Sequence, residues 1–214
     1  MSARIYAVLI ADVLESSSRQ DIRALLGKKL AAASKRHLQW KLITLPYSVT
    51  AGDEFQTVTG NLPSIPAIIL DLRSMLQPLS LRIGIGIGCI SDRIQPPVNR
   101  LGGEAFQFAR TAIENVKTNR LSKFKVLTAF ASRNESFNET INLIYGLHDT
   151  LALKITSKQW DTIKEFLDRP ALEQTARRLR LDTSTVSRNL KRGYYWQLAQ
   201  TAKVAGLLIE RSFQ

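Results

Sequence analysis

The chain of 214 residues carries one cysteine, Cys89. That excludes an internal disulfide and a cysteine-based zinc site, and it fits a reducing cytoplasm. Glycine and proline are few, at 11 and 7, so no tract has a disordered composition. Long apolar runs are missing as well. None approaches the roughly 20 residues of a membrane span. The run from Ile5 is closed by Asp12 after seven residues, which predicts no secretory signal. Acidic residues are the remaining shortage: 18 stand against 30 basic ones, for a net charge of +12 and a pI near 10.1. A balance so basic points to a polyanionic partner. What is present is ordinary for a globular protein, with 44% hydrophobic residues and length for a domain of about 150 residues plus a smaller one. The positive excess is densest at the C-terminal end. Residues 151–214 hold 12 Lys and Arg against 6 Asp and Glu, whereas the first 150 hold 18 against 12.

Two stretches carry acidic residues in telling places. Ile5-Tyr6-Ala7-Val8-Leu9-Ile10-Ala11 reads as a short central strand, and Asp12 ends it. Val49-Thr50-Ala51-Gly52-Asp53-Glu54-Phe55-Gln56 reads as the turn of a hairpin, with strands at about 42–50 and 55–59. Carboxylates gathered at adjacent strand ends are a common cradle for a hard divalent cation that holds nucleotide phosphates. The plainer reading is structural, each carboxylate capping a strand end or bonding a loop.

The remaining pattern alternates strands and helices. Ser16-Ser17-Ser18 offers cap chemistry for a helix over about 19–37, with Ile22, Leu25, Leu26, Leu30 and Ala33 on one face. A second helix is expected from Pro63 or Pro66 to about Met75. Ile83-Gly84-Ile85-Gly86-Ile87-Gly88 reads as a strand whose bare glycine face receives a helix or a ligand. A third helix over about 104–119 and a strand over 124–130 follow. The order is that of a ferredoxin-like βαββαβ sheet with one more αβ unit.

Asp12, Gly52-Asp53, Arg82-Ile83-Gly84-Ile85-Gly86-Ile87-Gly88 and Gly103-Glu104-Ala105-Phe106-Gln107-Phe108-Ala109-Arg110 together resemble class III nucleotide cyclases in order and spacing. Gly52-Asp53-Glu54-Phe55 also resembles the diguanylate cyclase signature. Over essentially its whole length the chain resembles the SatD family, which pairs such a domain with a C-terminal helix-turn-helix. The resemblance implies Mg or Mn at Asp12 and Asp53 and a nucleotide contact from the retained Arg110, and the adjacent turn carboxylate Glu54 is a further candidate metal ligand. It also implies losses. The base-selecting Lys is replaced by Val49, the transition-state Asn by Phe106, and the second Gly of the diguanylate cyclase signature by Ala51. No catalytic residue is assigned, and little or no turnover is expected.

Residues 134–153 read as a connecting helix with Phe137, Ile141, Ile144 and Leu147 inward. A helix then runs from Lys154 through Leu167, capped by Thr156 or Ser157. Beyond Arg169-Pro170, residues 172–192 have helix-turn-helix spacing. Ala176 marks the crossing, Leu179, Leu181, Val186 and Leu190 the shared core, and Asp182 the cap of the second helix. Ser184, Thr185, Ser187, Arg188, Lys191 and Arg192 then fall outward as DNA-binding residues. A last helix over about 194–212 carries Leu198, Ala202, Ala205, Leu208 and Ile209.

The expected protein is α+β: a ferredoxin-like, nucleotide-cyclase-like domain (1–133), a connecting helix (134–153) and an all-α helix-turn-helix domain (154–214). Its expected role is DNA-binding and transcription-regulatory, with duplex DNA, a nucleotide and a second copy of the chain (a homodimer) as candidate partners and no membrane. The rival expectation is an active nucleotide-converting enzyme with an accessory helical domain.

Overall fold

The computed structural model describes residues 4–14, 22–91, 93–119 and 125–213. The expected Ser16–Ser18 cap, the helix start at Arg19, and Phe124 lie outside the described residues.

Strand β1 (Ile5–Val13) is buried along all but its first two residues. A strand apolar on both faces must lie inside a covered sheet. It pairs antiparallel with β3 (Glu54–Thr59) on one side and β4 (Leu81–Cys89) on the other. Strand β2 (Ser48–Ala51) extends the sheet beyond β3, and β5 (Thr128–Ala131) joins β4 in parallel, giving the order β2-β3-β1-β4-β5. The hairpin turns at Gly52-Asp53, with Ala51 opposite Glu54 and Gly52 at φ 62°.

Side-chain alternation divides the sheet's two faces. Ala7, Leu9, Ala11 and Val13, with Ile83, Ile85 and Ile87, face α1 (Ile22–Gln39), α2 (Ile65–Met75), α4 (Glu135–Ala152) and α8 (Tyr195–Phe213) in the main core. Val8 and Ile10 face α3 (Glu104–Lys117), where Ala105, Ala109 and Ile113 meet them. The glycine face of β4 receives this helix, not a ligand. A Cβ at Gly86 would stand 2.1 Å from the Ala105 carbonyl oxygen, and one at Gly84 would stand 2.4 Å from the Ile113 nitrogen. Asp12 continues the Val8–Ile10 side and therefore belongs to the α3 face.

A second core is built by α5 (Ser157–Asp168), α6 (Leu172–Leu179), α7 (Thr183–Arg192) and the start of α8. Trp160, Ile163, Phe166, Val186, Leu190 and Leu198 fill it, and Leu70 of α2 enters it from the sheet side. Helix α2 thus contributes to both cores. Thr156 caps α5 in a reciprocal capping box with Gln159.

Several expectations change. Residues 42–47 form no ladder, because the hydroxyls of Thr57 and Thr59 donate to the carbonyls of Leu45 and Leu42 and hold that segment irregularly. The last strand begins at Thr128 rather than near residue 124. In α4, Phe137 and Ile141 are buried but Leu147 is 59% exposed; Tyr145, His148 and Asp149 face inward instead. The helix packs on β5 and α8, and those neighbours select its inner face. Leu181 is 39% exposed rather than core, since Arg180 enters the left-handed region (φ 54°, ψ 47°) and turns the chain outward there.

Candidate functional site

The sheet edge expected to hold a cation is built from β1, β3, β4 and α3. Asp12 is buried, and the β1–β4 register sets it directly opposite Arg82. Arg82 Nε donates to Asp12 Oδ1 at 2.7 Å, and Lys117 Nζ stands 3.3 Å from Asp12 Oδ2. One residue beyond the Ala11–Phe55 pair of the neighbouring ladder lies Glu54. Its carboxylate receives Arg110 in a fork, NH1 to Oε2 at 2.7 Å and NH2 to Oε1 at 2.9 Å. The Thr50 hydroxyl adds a bond to Oε1 at 3.1 Å, and Lys117 Nζ lies 3.8 Å from Oε2. Asp53 sits half-buried in the turn and makes no hydrogen bond or ion pair with another described residue.

The electrostatics follow from this geometry. Burial pushes the Glu54 carboxyl up, but the bond and charge of Arg110, with help from Thr50 and Lys117, outweigh it and hold the group below its ordinary value. Arg110 is raised by its bond to Glu54. Burial lowers Lys117, yet the charge of Asp12 and bonds to Asp12 and Glu114 carry it above the ordinary ammonium value. All four oxygens of Asp12 and Glu54 therefore already face a guanidinium or an ammonium. A divalent cation bridging them would have to displace Lys117 and at least part of Arg110. Among the described residues, no group of three or more His, Cys, Asp or Glu side chains is placed to hold a metal. Val49 is exposed on β2 and Phe106 half-buried on α3.

Arg82 and Lys117 are site residues that the motif reading missed. The signal was available: Arg82 shares the glycine face of β4, and Lys117 stands seven residues, two helical turns, after Arg110.

The second candidate surface lies on α6 and α7. Ala176 is buried at the crossing, and its carbonyl accepts from Leu181 N at 2.9 Å. Val186 and Leu190 are fully buried on the inner side of α7. Asn189 donates to the Thr162 hydroxyl at 3.1 Å and ties α7 to α5. The outer side presents Ser184, Ser187, Arg188, Lys191 and Arg192, all exposed, with Thr185 half-buried. None of these three basic residues forms an ion pair with a described residue. Asp182 occupies the N-cap position, but its side chain makes no cap bond; only its carbonyl serves the helix, accepting from Thr185 N and Val186 N. Leu179 is half-buried rather than part of the fully buried core. No helix among the described residues is long and apolar enough to cross a membrane.

No curated protein matches the chain. Among solved structures, a bacterial light-regulated adenylyl cyclase shares 13% identity over 61% of this chain and 77% of its own, with a TM-score of 0.44. The adenylyl cyclase CyaB from P. aeruginosa shares 16% over 50% of this chain and 70% of its own, at 0.35. A regulator of polyketide synthase expression from Bifidobacterium adolescentis shares 13% over 97% of this chain and 82% of its own, at 0.30. Likenesses at these scores and identities assign no activity. The whole-chain match is of another kind: residues 6–205 fit the SatD family, and the chain belongs to it.

Proposed function

We propose that the protein binds duplex DNA through α6 and α7, acting as a helix-turn-helix, in a transcription-regulatory role. The observation that carries this reading is the division of α7 into two sides. Val186 and Leu190 are fully buried, while Ser184, Ser187, Arg188, Lys191 and Arg192 are exposed on a helix that contains no acidic residue. A rigid helix with small hydroxyls toward its start and cations toward its end suits entry into a major groove. There Arg188 reads a guanine edge and Lys191 and Arg192 meet phosphates. The net charge of +12 adds sequence-independent attraction.

In this reading the ferredoxin-like sheet carries a cyclase-type site without its catalytic half. Val49 and Phe106 stand where the base-selecting Lys and transition-state Asn would act, and neither side chain can donate a hydrogen bond. The carboxylates are compensated internally by Lys117, Arg110 and Arg82. A nucleotide or divalent cation entering this edge would act as a regulator of the DNA-binding face, not as a substrate.

The test is fluorescence anisotropy of the full chain on duplex DNA, first with random sequence and then with selected sites. Affinity should fall about tenfold or more between 50 and 200 mM salt, and Arg188→Ala should weaken a selected site by about 1–3 kcal/mol. Equal binding by wild type and an Arg188→Ala/Lys191→Ala/Arg192→Ala variant would refute the assignment. A parallel assay for cyclic nucleotide from ATP and GTP should yield no product above background.

A further inference from the structure

One side of helix α8 is only partly covered: Lys203 and Leu207 are exposed and Glu210 is half-buried, while Gly206 is buried, with a Cβ there 2.8 Å from the Pro63 carbonyl oxygen. Lys203, Gly206, Leu207 and Glu210 line that side of a largely apolar groove of about 420 Å³, whose other wall includes Ala67 and Leu70 of α2. Their spacing of three, four and seven puts them on a single helical stripe. Leu207 is 43% exposed, although it lies in the middle of that stripe. Lys203 and Glu210 flank it with opposite charges, and neither forms an ion pair with a described residue.

This arrangement is complementary to itself. Two copies of α8 laid antiparallel about a two-fold axis between residues 206 and 207 bring Lys203 opposite Glu210 of the partner subunit. The same operation makes the pair a second time and sets Leu207 over the groove floor at Gly206 of the partner subunit. A closed two-fold contact uses one patch on both copies, so a patch with its two charges symmetric about an apolar centre fits that symmetry. Charge argues for this location too. On a chain of net +12 most contacts between copies are repulsive, whereas this stripe carries one cation and one anion.

We propose that a second copy of this chain covers the groove, forming a two-fold dimer through α8 with reciprocal Lys203–Glu210 pairs. The pairing is independent of the DNA reading and is measured without DNA. Sedimentation equilibrium on the full chain, up to roughly 100 µM, should show a monomer–dimer equilibrium. Lys203→Glu and Glu210→Lys, each replacing two attractions with two repulsions, should each raise the dissociation constant about tenfold. The double reversal Lys203→Glu/Glu210→Lys should bring it back to near the wild-type value. Lys203 is exposed and Glu210 half-buried, and melting temperatures matching the wild type at concentrations where all are monomeric would certify folded variants. A wild type that is monomeric throughout, single reversals without effect, or a double reversal that fails to restore association would each overturn the proposal.

Discussion

Lys117 Nζ lies 3.3 Å from Asp12 Oδ2 and 3.8 Å from Glu54 Oε2, so one ammonium stands between two carboxylates contributed by adjacent strands. Without it, two ionised groups at neighbouring strand ends would repel. Lys117→Met is expected to lower stability by about 1–3 kcal/mol, the cost of leaving a buried charged group with a lost partner. It should also sensitise the protein to metal. Mn²⁺, with or without ATP or GTP, should raise the melting temperature of the variant more than that of the wild type, because a bound cation stabilises the folded state by mass action. Equal shifts in both proteins would mean that Lys117 does not hold the cation's place.

The Glu54–Arg110 fork sets a pH dependence of definite sign. The folded carboxyl titrates below its ordinary value of 4.5. A depressed acid contributes stability that is present above the unfolded pKa and is lost as pH falls through the lower folded value. Glu54→Gln should therefore be less stable than wild type near pH 7, and the gap should close as the pH drops below 4.5. Lys117 acts at the other end. Raised above 10.5, it keeps its contribution below that pH and loses it as pH climbs through the folded value. Melting curves from pH 3 to 8 on wild type and Glu54→Gln check the acid limb; a gap that stays constant with pH would exclude the pairing.

The turn between α6 and α7 holds an exposed Arg180 in the left-handed region at φ 54°. A residue with a Cβ pays roughly 1 kcal/mol or more for that conformation, and glycine does not. Arg180→Gly should raise stability by up to about 1 kcal/mol. If Arg180 also reaches DNA phosphate beside α7, the same change should weaken DNA binding evenly across sequences and reduce the salt slope by about one ion. A stability gain with unchanged DNA affinity would remove Arg180 from the binding surface while leaving its turn geometry explained.

The residues differ in how plainly they announced these roles. Strand β1, the Gly52-Asp53 turn and the inward stripe of α7 were legible because each obeys a local period or a turn chemistry. The glycine face of β4 was legible only as close packing; its identity as the seat of α3 needed the third dimension. Arg82 and Lys117 each lie on a face that local periodicity marks, the glycine face of β4 and the Arg110 side of α3, but their convergence on Asp12 joins distant segments and no local pattern encodes it. The same holds for buried Arg73, whose NH2 donates to Asp149 Oδ1 at 3.1 Å across 76 residues. Strand length differs from the sequence expectation at 42–47, where threonine hydroxyls compete with the ladder for carbonyls, and the inner face of helix α4 differs at Leu147, where packing on β5 and α8 chose another face.

The joint between the two cores gives the last prediction. Leu70 leaves α2 on the side opposite the sheet and enters the core of Trp160, Ile163 and Leu198. Around it, Arg36 of α1 bonds Asp71 at 3.0 Å and also pairs with Asp168 at the end of α5. Asp71 is held in turn by the buried His37, Nε2 to Oδ2 at 2.8 Å. An apolar anchor and a branched ion pair thus join the same two bodies, so they should unfold together in the wild type. Leu70→Ala opens a cavity inside the second core and should destabilise it by about 2–4 kcal/mol. Arg36→Met leaves Asp71 its histidine but strips Asp168 of its cation, with a smaller loss of about 1–2 kcal/mol. Combined, the two changes should split a single calorimetric transition into two, the lower one belonging to α5–α7. Since α7 carries the proposed DNA-binding side, affinity for DNA should fall at temperatures between those transitions while the sheet stays folded. A single sharp transition in the double variant would show that other contacts, such as those between α4 and α8, suffice to couple the two cores.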